Sequence, residues 1–309
     1  MLAKAARLQV LGKSPANLFL RLNSWIWNRL PSRVRDLHLI RSYGAWLHTL
    51  VCLRARRQQY FGTFFLRNRP ALELIRRLSE WKDQGATLRI AVLACSAGAE
   101  VYSILWIIRL ARPDLKVVLH AVDISREILK FAESGIYDPN TSADVGAAIF
   151  ERLTAHEKRG MFDWEGEQAT VKSWIRKEIT WKLGDAADPE LISVVGLQDL
   201  VVGNNFLCHM APADAERCLR NMARLVEPGG YLFVAGVDLD IRTKVAVDLG
   251  LKPIPDLIAE IHDGDPSVRG DWPWQWWGLE PLDQRSPDWH IRYAAAFQVP
   301  GSASSHHAS

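Results

Sequence analysis

From Ala86 onward the chain alternates short apolar runs with amphipathic stretches, and this alternation narrows the choice of fold more than any other feature. LRIAVLAC (88–95) reads as a buried strand, followed by the helical spacing of EVYSILWIIRLAR (100–112). KVVLHAVDIS (116–125) is a second strand, with Asp123 at its carboxyl end, and REILKFAESGIY the helix after it. EITWKLGD (178–185) and LQDLVVGNN (197–205) are a third and a fourth strand. A helix (ADAERCLRNMARLV), a turn (EPGG) and a strand (YLFVAG) follow. Strands alternating with helices predict an α/β fold, a mostly parallel sheet covered on both faces. A last strand over HIRYAAAFQV (290–299) closes this sheet at an edge, and the polar, tryptophan-containing stretch at about 151–178 reads as a small antiparallel insertion.

Residues 1–85 carry a different pattern. ANLFLRLNSWIWNRL and RDLHLIRSYGAWLHTLVCLRARRQQ repeat apolar residues every three or four positions, with arginine on the other faces. This predicts a helical N-terminal subdomain (1–85), a main domain (86–300) and a loose tail (301–309). The net charge of +3 conceals an asymmetry: residues 1–70 hold thirteen Lys or Arg and one acid, Asp36, leaving 25 bases and 34 acids for the rest. Such a split predicts an anionic partner for the basic arm, an acidic protein or a membrane surface. A nucleic acid ranks last, because no aromatic-and-basic RNA-binding motif accompanies the charge. No apolar run approaches the roughly 20 residues that cross a bilayer. The absence of a signal-like segment, with four scattered cysteines (Cys52, Cys95, Cys208, Cys218), predicts a cytoplasmic chain.

The turn after the first strand, VLACSAGAEVYS (92–103), sets the chemistry. In open parallel sheets, ligands lie beyond the carboxyl ends of the strands. A dinucleotide site would need several glycines there to admit a pyrophosphate, whereas this turn has only Gly98, and Glu100 would repel a phosphate. A cationic ligand suits it better. Asp123, 25 residues after Gly98, is placed to accept from ribose hydroxyls. S-adenosylmethionine, with an ammonium, a sulfonium and a ribose, fits that description.

CSAGAEVYS resembles the first motif of the chemotaxis-receptor methyltransferase family (the CheR type), which typically reads CSTGEEPYS. Four more segments match in order: TFFLR (63–67), AVDIS, LVVGNNFLCHM and LRNMARLVEPGGYLFVAG. The resemblance covers roughly residues 60–236 and implies a class I, Rossmann-like methyltransferase sheet with S-adenosylmethionine as cofactor. It also implies that Thr63, Arg67, Glu100, Asp123, Asp185, Ala186, Asn204 and Asn205 surround that cofactor, beside the turn at Gly98. The implied reaction is O-methylation of a carboxylate such as a protein glutamate, with Arg67 holding a carboxylate.

Three positions depart from the family: Ala99 replaces its first glutamate, Asn204 an arginine and His209 a tyrosine. His209 has three readings: a general base, a simple hydrogen-bond donor, or a packed residue. The first favours a hydroxyl acceptor on a glycan or small metabolite, and the three replacements together leave room for a non-catalytic, cofactor-binding regulator. The tryptophans of DWPWQWWGLEP, Trp272 to Trp277, read first as a core cover or lid and second as a stacking platform. His262, Asp263 and Asp265 have metal-ligand chemistry, but HDGD is ordinary turn composition and no metal is expected.

Overall fold

A computed structural model describes residues 15–54, 62–138, 147–265, 272–275 and 278–301. The chain divides into two compact units, Met1–Gln58 with Pro266–Pro281, and Gln59–Asp265 with Leu282–Ser309.

The smaller unit contains helices α1 (Pro15–Trp27), α2 (Ser32–Arg35) and α3 (His38–Arg54). Its core is Leu20, Trp27, Leu47 and Val51, with Trp272 and Trp274 packed against them. Trp27 meets both rings edge-on, at 5.5 and 6.5 Å between centroids, and the His48 ring nitrogen Nδ1 lies 3.1 Å from the Pro273 carbonyl. These two tryptophans are therefore core. Trp276 and Trp277 lie outside the described residues.

The larger unit is built on β1 (Thr87–Leu93), β2 (Lys116–Asp123), β3 (Ile136–Tyr137), β4 (Phe162–Glu165), β5 (Gln168–Val171), β6 (Ile179–Leu183), β7 (Gln198–Val202), β8 (Val226–Phe233), β9 (Lys252–Pro253) and β10 (Ala296–Gln298). One seven-stranded sheet runs β6-β2-β1-β7-β8-β10-β9. Its first five strands are parallel, and β10 pairs antiparallel with both neighbours. A second sheet, β3-β5-β4, is antiparallel and includes the predicted insertion. Ile90, Ala91, Val92 and Leu93 are all fully buried, because helices cover both faces of β1; Ile90, Val92 and Leu93 each contribute about 1.5–3 kcal/mol. The order reverses at β1, where β2 leads one way and β7 the other.

The helices of this unit are α4 (Arg69–Ser79), α5 (Ala99–Ala111), α6 (Arg126–Ser134), α7 (Ala155–Met161), α8 (Ser173–Arg176), α9 (Leu191–Val195), α10 (Pro212–Arg224), α11 (Leu239–Asp248), α12 (Ile258–Asp263) and α13 (Trp289–Tyr293). Their starts follow capping chemistry. Asn68 accepts from the Ala71 amide at 3.1 Å to begin α4, and Ser125 accepts from Ile128 at 3.3 Å to begin α6.

Two local expectations change. EPGG is not a turn between helix and strand: β8 already begins at Val226, and Glu227–Gly230 form a bulge where the pairing shifts from Gln198↔Val226 to Leu200↔Tyr231. The strand expected over 290–299 shrinks to Ala296–Gln298, because residues 289–293 coil into α13, and β9 lies outside it at the edge.

Candidate active site

The carboxyl ends of four parallel strands come level. Leu93 pairs with Val122, Asp123 with Leu183, and Val92 with Val202. The loops after β1, β2, β6 and β7 therefore gather at one edge, beside the reversal of strand order.

The loop after β1 is the most constrained. Ala94, Ser96 and Gly98 take positive φ, at 51°, 48° and 81°. That conformation costs an L-residue about 1–2 kcal/mol, so the surroundings must impose it. Cys95 N donates to the Val122 carbonyl at 3.0 Å, and Ser96 N donates to Asp123 Oδ2 at 2.9 Å. Asp123 Oδ1 accepts from Ser125 N at 3.0 Å. One buried carboxylate thus fastens the loop after β1 to the loop after β2, and each of its oxygens keeps a second lone pair. The Asp123 carbonyl accepts from Gly184 N at 3.0 Å, which ties in the loop after β6. Cys95 is no nucleophile: burial first, and the Asp123 charge second, push its thiol well above its ordinary range.

Gly98 caps α5 and brings Glu100 into the first helical turn. A Cβ at Gly98 would lie 3.1 Å from Ala132 and 3.2 Å from both the Trp181 and Tyr102 rings, so a side chain here would crowd them as well as strain the positive φ. Glu100 Oε1 accepts from Asn204 Nδ2 at 2.8 Å, and Asn204 Oδ1 accepts from Ala235 N at 2.8 Å. Asn205, at φ 60°, donates its amide to the Ala235 carbonyl at 2.8 Å. A run of polar contacts therefore joins α5 to the ends of β7 and β8. Burial pushes the Glu100 carboxyl up, while the Asn204 hydrogen bond and the Arg67 charge hold it down.

Arg67 pairs with Asp265, a buried carboxylate that also accepts from Arg152 at 3.1 Å. Arg152 donates to the Arg67 carbonyl at 2.6 Å, and both guanidiniums lie over the Phe64 ring, at 5.6 Å for Arg67 and 4.5 Å for Arg152. Asp265 thus belongs to an arginine pair. His262 is buried edge-on against Tyr293 at 4.9 Å. Among the described residues, no three His, Cys, Asp or Glu form a group able to hold a metal.

The fold therefore gathers Gly98, Glu100, Asp123, Asn204 and Asn205, with Arg67 close enough to act on the Glu100 charge. Asp185 is exposed in the adjoining loop, its Oδ1 accepting from Ala187 N at 2.8 Å, and Ala186 beside it is buried. Thr63 is half-buried four residues before Arg67, and His209 is half-buried at the end of the short helical turn Leu207–His209 that follows Asn205. Sequence reasoning missed Ala94 and Ser96, although a run of small residues, Ala94 to Gly98, is the signal of a loop forced into unusual backbone angles. It also missed that Arg152 and Asp265 hold Arg67. No local pattern links residues so distant along the chain.

A parallel sheet in this order, with an acid closing β2 and a strained small-residue loop after β1, defines a class I methyltransferase fold. Residues 62–240 match the family described as CheR methyltransferase, SAM binding domain, and the chain belongs to that family. It is 28% identical over 163 residues to "Chemotaxis protein methyltransferase 1" of Vibrio cholerae, covering 51% of this chain and 56% of the relative. It is 25% identical over 182 residues to "Probable biofilm formation methyltransferase WspC" of Pseudomonas putida, covering 58% of this chain and 40% of the relative. An uncharacterized 104.1 kDa protein of Rhodobacter capsulatus is 30% identical over 167 residues, 52% of this chain and 16% of its own. The chain thus spans little more than half the length, or less, of these curated relatives.

Proposed function

We propose that this chain is an S-adenosylmethionine-dependent O-methyltransferase whose acceptor is a carboxylate, a glutamate side chain on a partner protein. The observation that carries the acceptor class is the Arg67 guanidinium, which engages Asp265 through Nε alone and stands near enough to Glu100 to hold its carboxyl down, with its terminal nitrogens left as donors. Planar guanidiniums bind carboxylates through directed hydrogen bonds, and a neutral hydroxyl gains far less from them. The likeness to chemotaxis protein methyltransferases supports a protein acceptor.

The donor set suits the cofactor. Burial disfavours the charged form of Glu100, so a cationic group beside it favours the carboxylate and is bound in return. Asp123 keeps lone pairs for a ribose diol, while Gly98 leaves its turn without a Cβ. Asp185 and Ala186 would border the adenine, and Asn204, Asn205 and Thr63 complete the wall. When bound, S-adenosylmethionine supplies a methyl group already activated by its sulfonium. What remains for the protein is to orient an oxygen in line and exclude water. A glutamate, with a reference pKa of about 4.3, arrives ionised at neutral pH and needs no base. Arg67 fixes its direction.

His209 favours a second reading, a hydroxyl acceptor, because an imidazole follows Asn205 within the same loop. Transfer of labelled methyl into lysate, sorted by alkali stability, separates the two. A carboxyl ester releases volatile methanol on mild alkali, whereas a methyl ether survives. With a carboxylate acceptor, His209→Ala keeps most turnover and Arg67→Ala loses about a hundredfold. Alkali-stable label with His209→Ala inactive would replace this reading with the hydroxyl one.

A further inference from the structure

The smaller unit has a surface that its own core does not explain. α1 is apolar on opposite faces. Leu20 and Trp27 point into the core, yet Leu18, Leu22 and Trp25 recur at four- and three-residue spacing on the other side, with Phe19 and Ile26 beside them. α3 repeats the arrangement: Leu39, Tyr43, Trp46 and Leu53 share one outward stripe. All nine side chains are between 39% and 80% exposed. The two stripes join, because Phe19 meets Trp46 edge-on at 6.0 Å and Tyr43 stacks on Trp46 at 5.6 Å. The Tyr43 hydroxyl donates to Asn23 Oδ1 across the same seam at 2.5 Å. An outward apolar surface this continuous marks an interaction site.

Charge identifies the occupant. Arg21 on α1, Arg29 just beyond its end, and Arg33 and Arg35 on α2 accompany the single acid Asp36. Arg29 lies over the Trp25 ring at 3.8 Å, which places a cation beside an exposed indole. A second copy of the chain would set two such basic faces against each other, at an electrostatic cost. We propose that this face seats on a bilayer surface bearing anionic lipid, with the leucines and aromatic rings at the acyl boundary and the arginines at the phosphates. Tryptophan and tyrosine favour that depth, where the ring is apolar and its polar atom stays wet. The chain lies on the membrane: among the described residues, no helix is long and apolar enough to cross one. This inference is independent of the methyl acceptor.

The test uses the full chain with vesicles of phosphatidylcholine alone or with a quarter phosphatidylglycerol. Co-sedimentation is expected with the anionic vesicles only. A Leu22→Ser, Trp25→Ser double variant, with circular dichroism unchanged, is expected to weaken it about tenfold or more. Arg29→Gln, Arg33→Gln is expected to weaken it and to flatten its salt dependence. Failure to bind anionic vesicles overturns the proposal, and so does binding indifferent to the Leu22/Trp25 change. Two other occupants are open to the same variants. A dimer broken by Leu22→Ser, Trp25→Ser assigns the face to a second copy. Capture of poly-glutamate in place of vesicles assigns it to an acidic protein. Either result rejects the membrane.

Discussion

Glu100 sits where stability and binding oppose each other. Burial is the largest influence on its carboxyl and raises it, so the folded state holds a proton there to higher pH than an unfolded chain does. Stability from this group is therefore lost as pH rises through the window between the two values, and the cost persists at neutral pH. Glu100→Gln keeps an acceptor for Asn204 and removes the partly desolvated carboxylate. It is expected to raise the melting temperature at pH 7, to leave it unchanged at acid pH, and to abolish cofactor binding by calorimetry. A drop in melting temperature at pH 7 would contradict this account. Gly236 gives a second expectation. At φ 63°, a Cβ there would lie 2.6 Å from Asn205 Cα and 2.7 Å from its Oδ1. Gly236→Ala is expected to cost about 2 kcal/mol or more in denaturant unfolding, because the clash is partly with backbone and the alanine must also hold a positive φ. The sequence signalled Glu100, Asp123 and the asparagines through their places after apolar strands. The strain at Ala94 and Ser96 was hidden, because neither residue type announces a left-handed backbone.

At the scale of elements, the start of α7 shows how the inserted sheet is fastened. Thr154 Oγ1 accepts from Glu157 N at 3.2 Å, and Glu157 Oε2 accepts from Thr154 N at 2.8 Å. The Arg69 guanidinium, at the first residue of α4, donates to both oxygens of Glu157 at 2.6 and 2.8 Å. That hydrogen bonding holds Glu157 down at about 2. A depressed carboxyl stabilises fully above the ordinary carboxylate range and loses its contribution as pH falls towards 2. Half of Arg69 is exposed, which moderates the pair, so Glu157→Gln is expected to cost about 1 kcal/mol at pH 7, less as pH falls through about 2, and nothing well below that. Thr154→Ala is expected to cost about 1 kcal/mol in the same melts. Elements of this kind differ in how openly the sequence shows them. The runs IAVL, VVL and LVV within β1, β2 and β7 are apolar because both faces of their strands are covered, and they are readable at once. β9 and β10, with two and three residues, are too short to carry a period. EPGG looked like a turn because a bulge uses the same residues.

At the scale of the whole molecule, the hardest features to read were those made by residues far apart. Charge distribution was legible, since it needs only counting, and so was the sheet. The pairing of Arg67 with Asp265, and of Trp27 with Trp272 and Trp274, needed coordinates. Trp27→Ala is expected to remove about 3–5 kcal/mol from the smaller unit and to expose residues 15–54 to limited proteolysis, with the sheet still intact by amide exchange. Protection of that segment in the variant would mean that the tryptophans are not its core.

That core also has a timetable. At about 5–20 residues per second, Trp272 leaves the ribosome some ten to fifty seconds after Trp27. Through that interval the early helices are synthesised without the rings that cover them, and their sticky inner side is open to anything nearby. The nascent chain is therefore a natural client for a holdase, and slowing translation after α3 would lengthen the hazard.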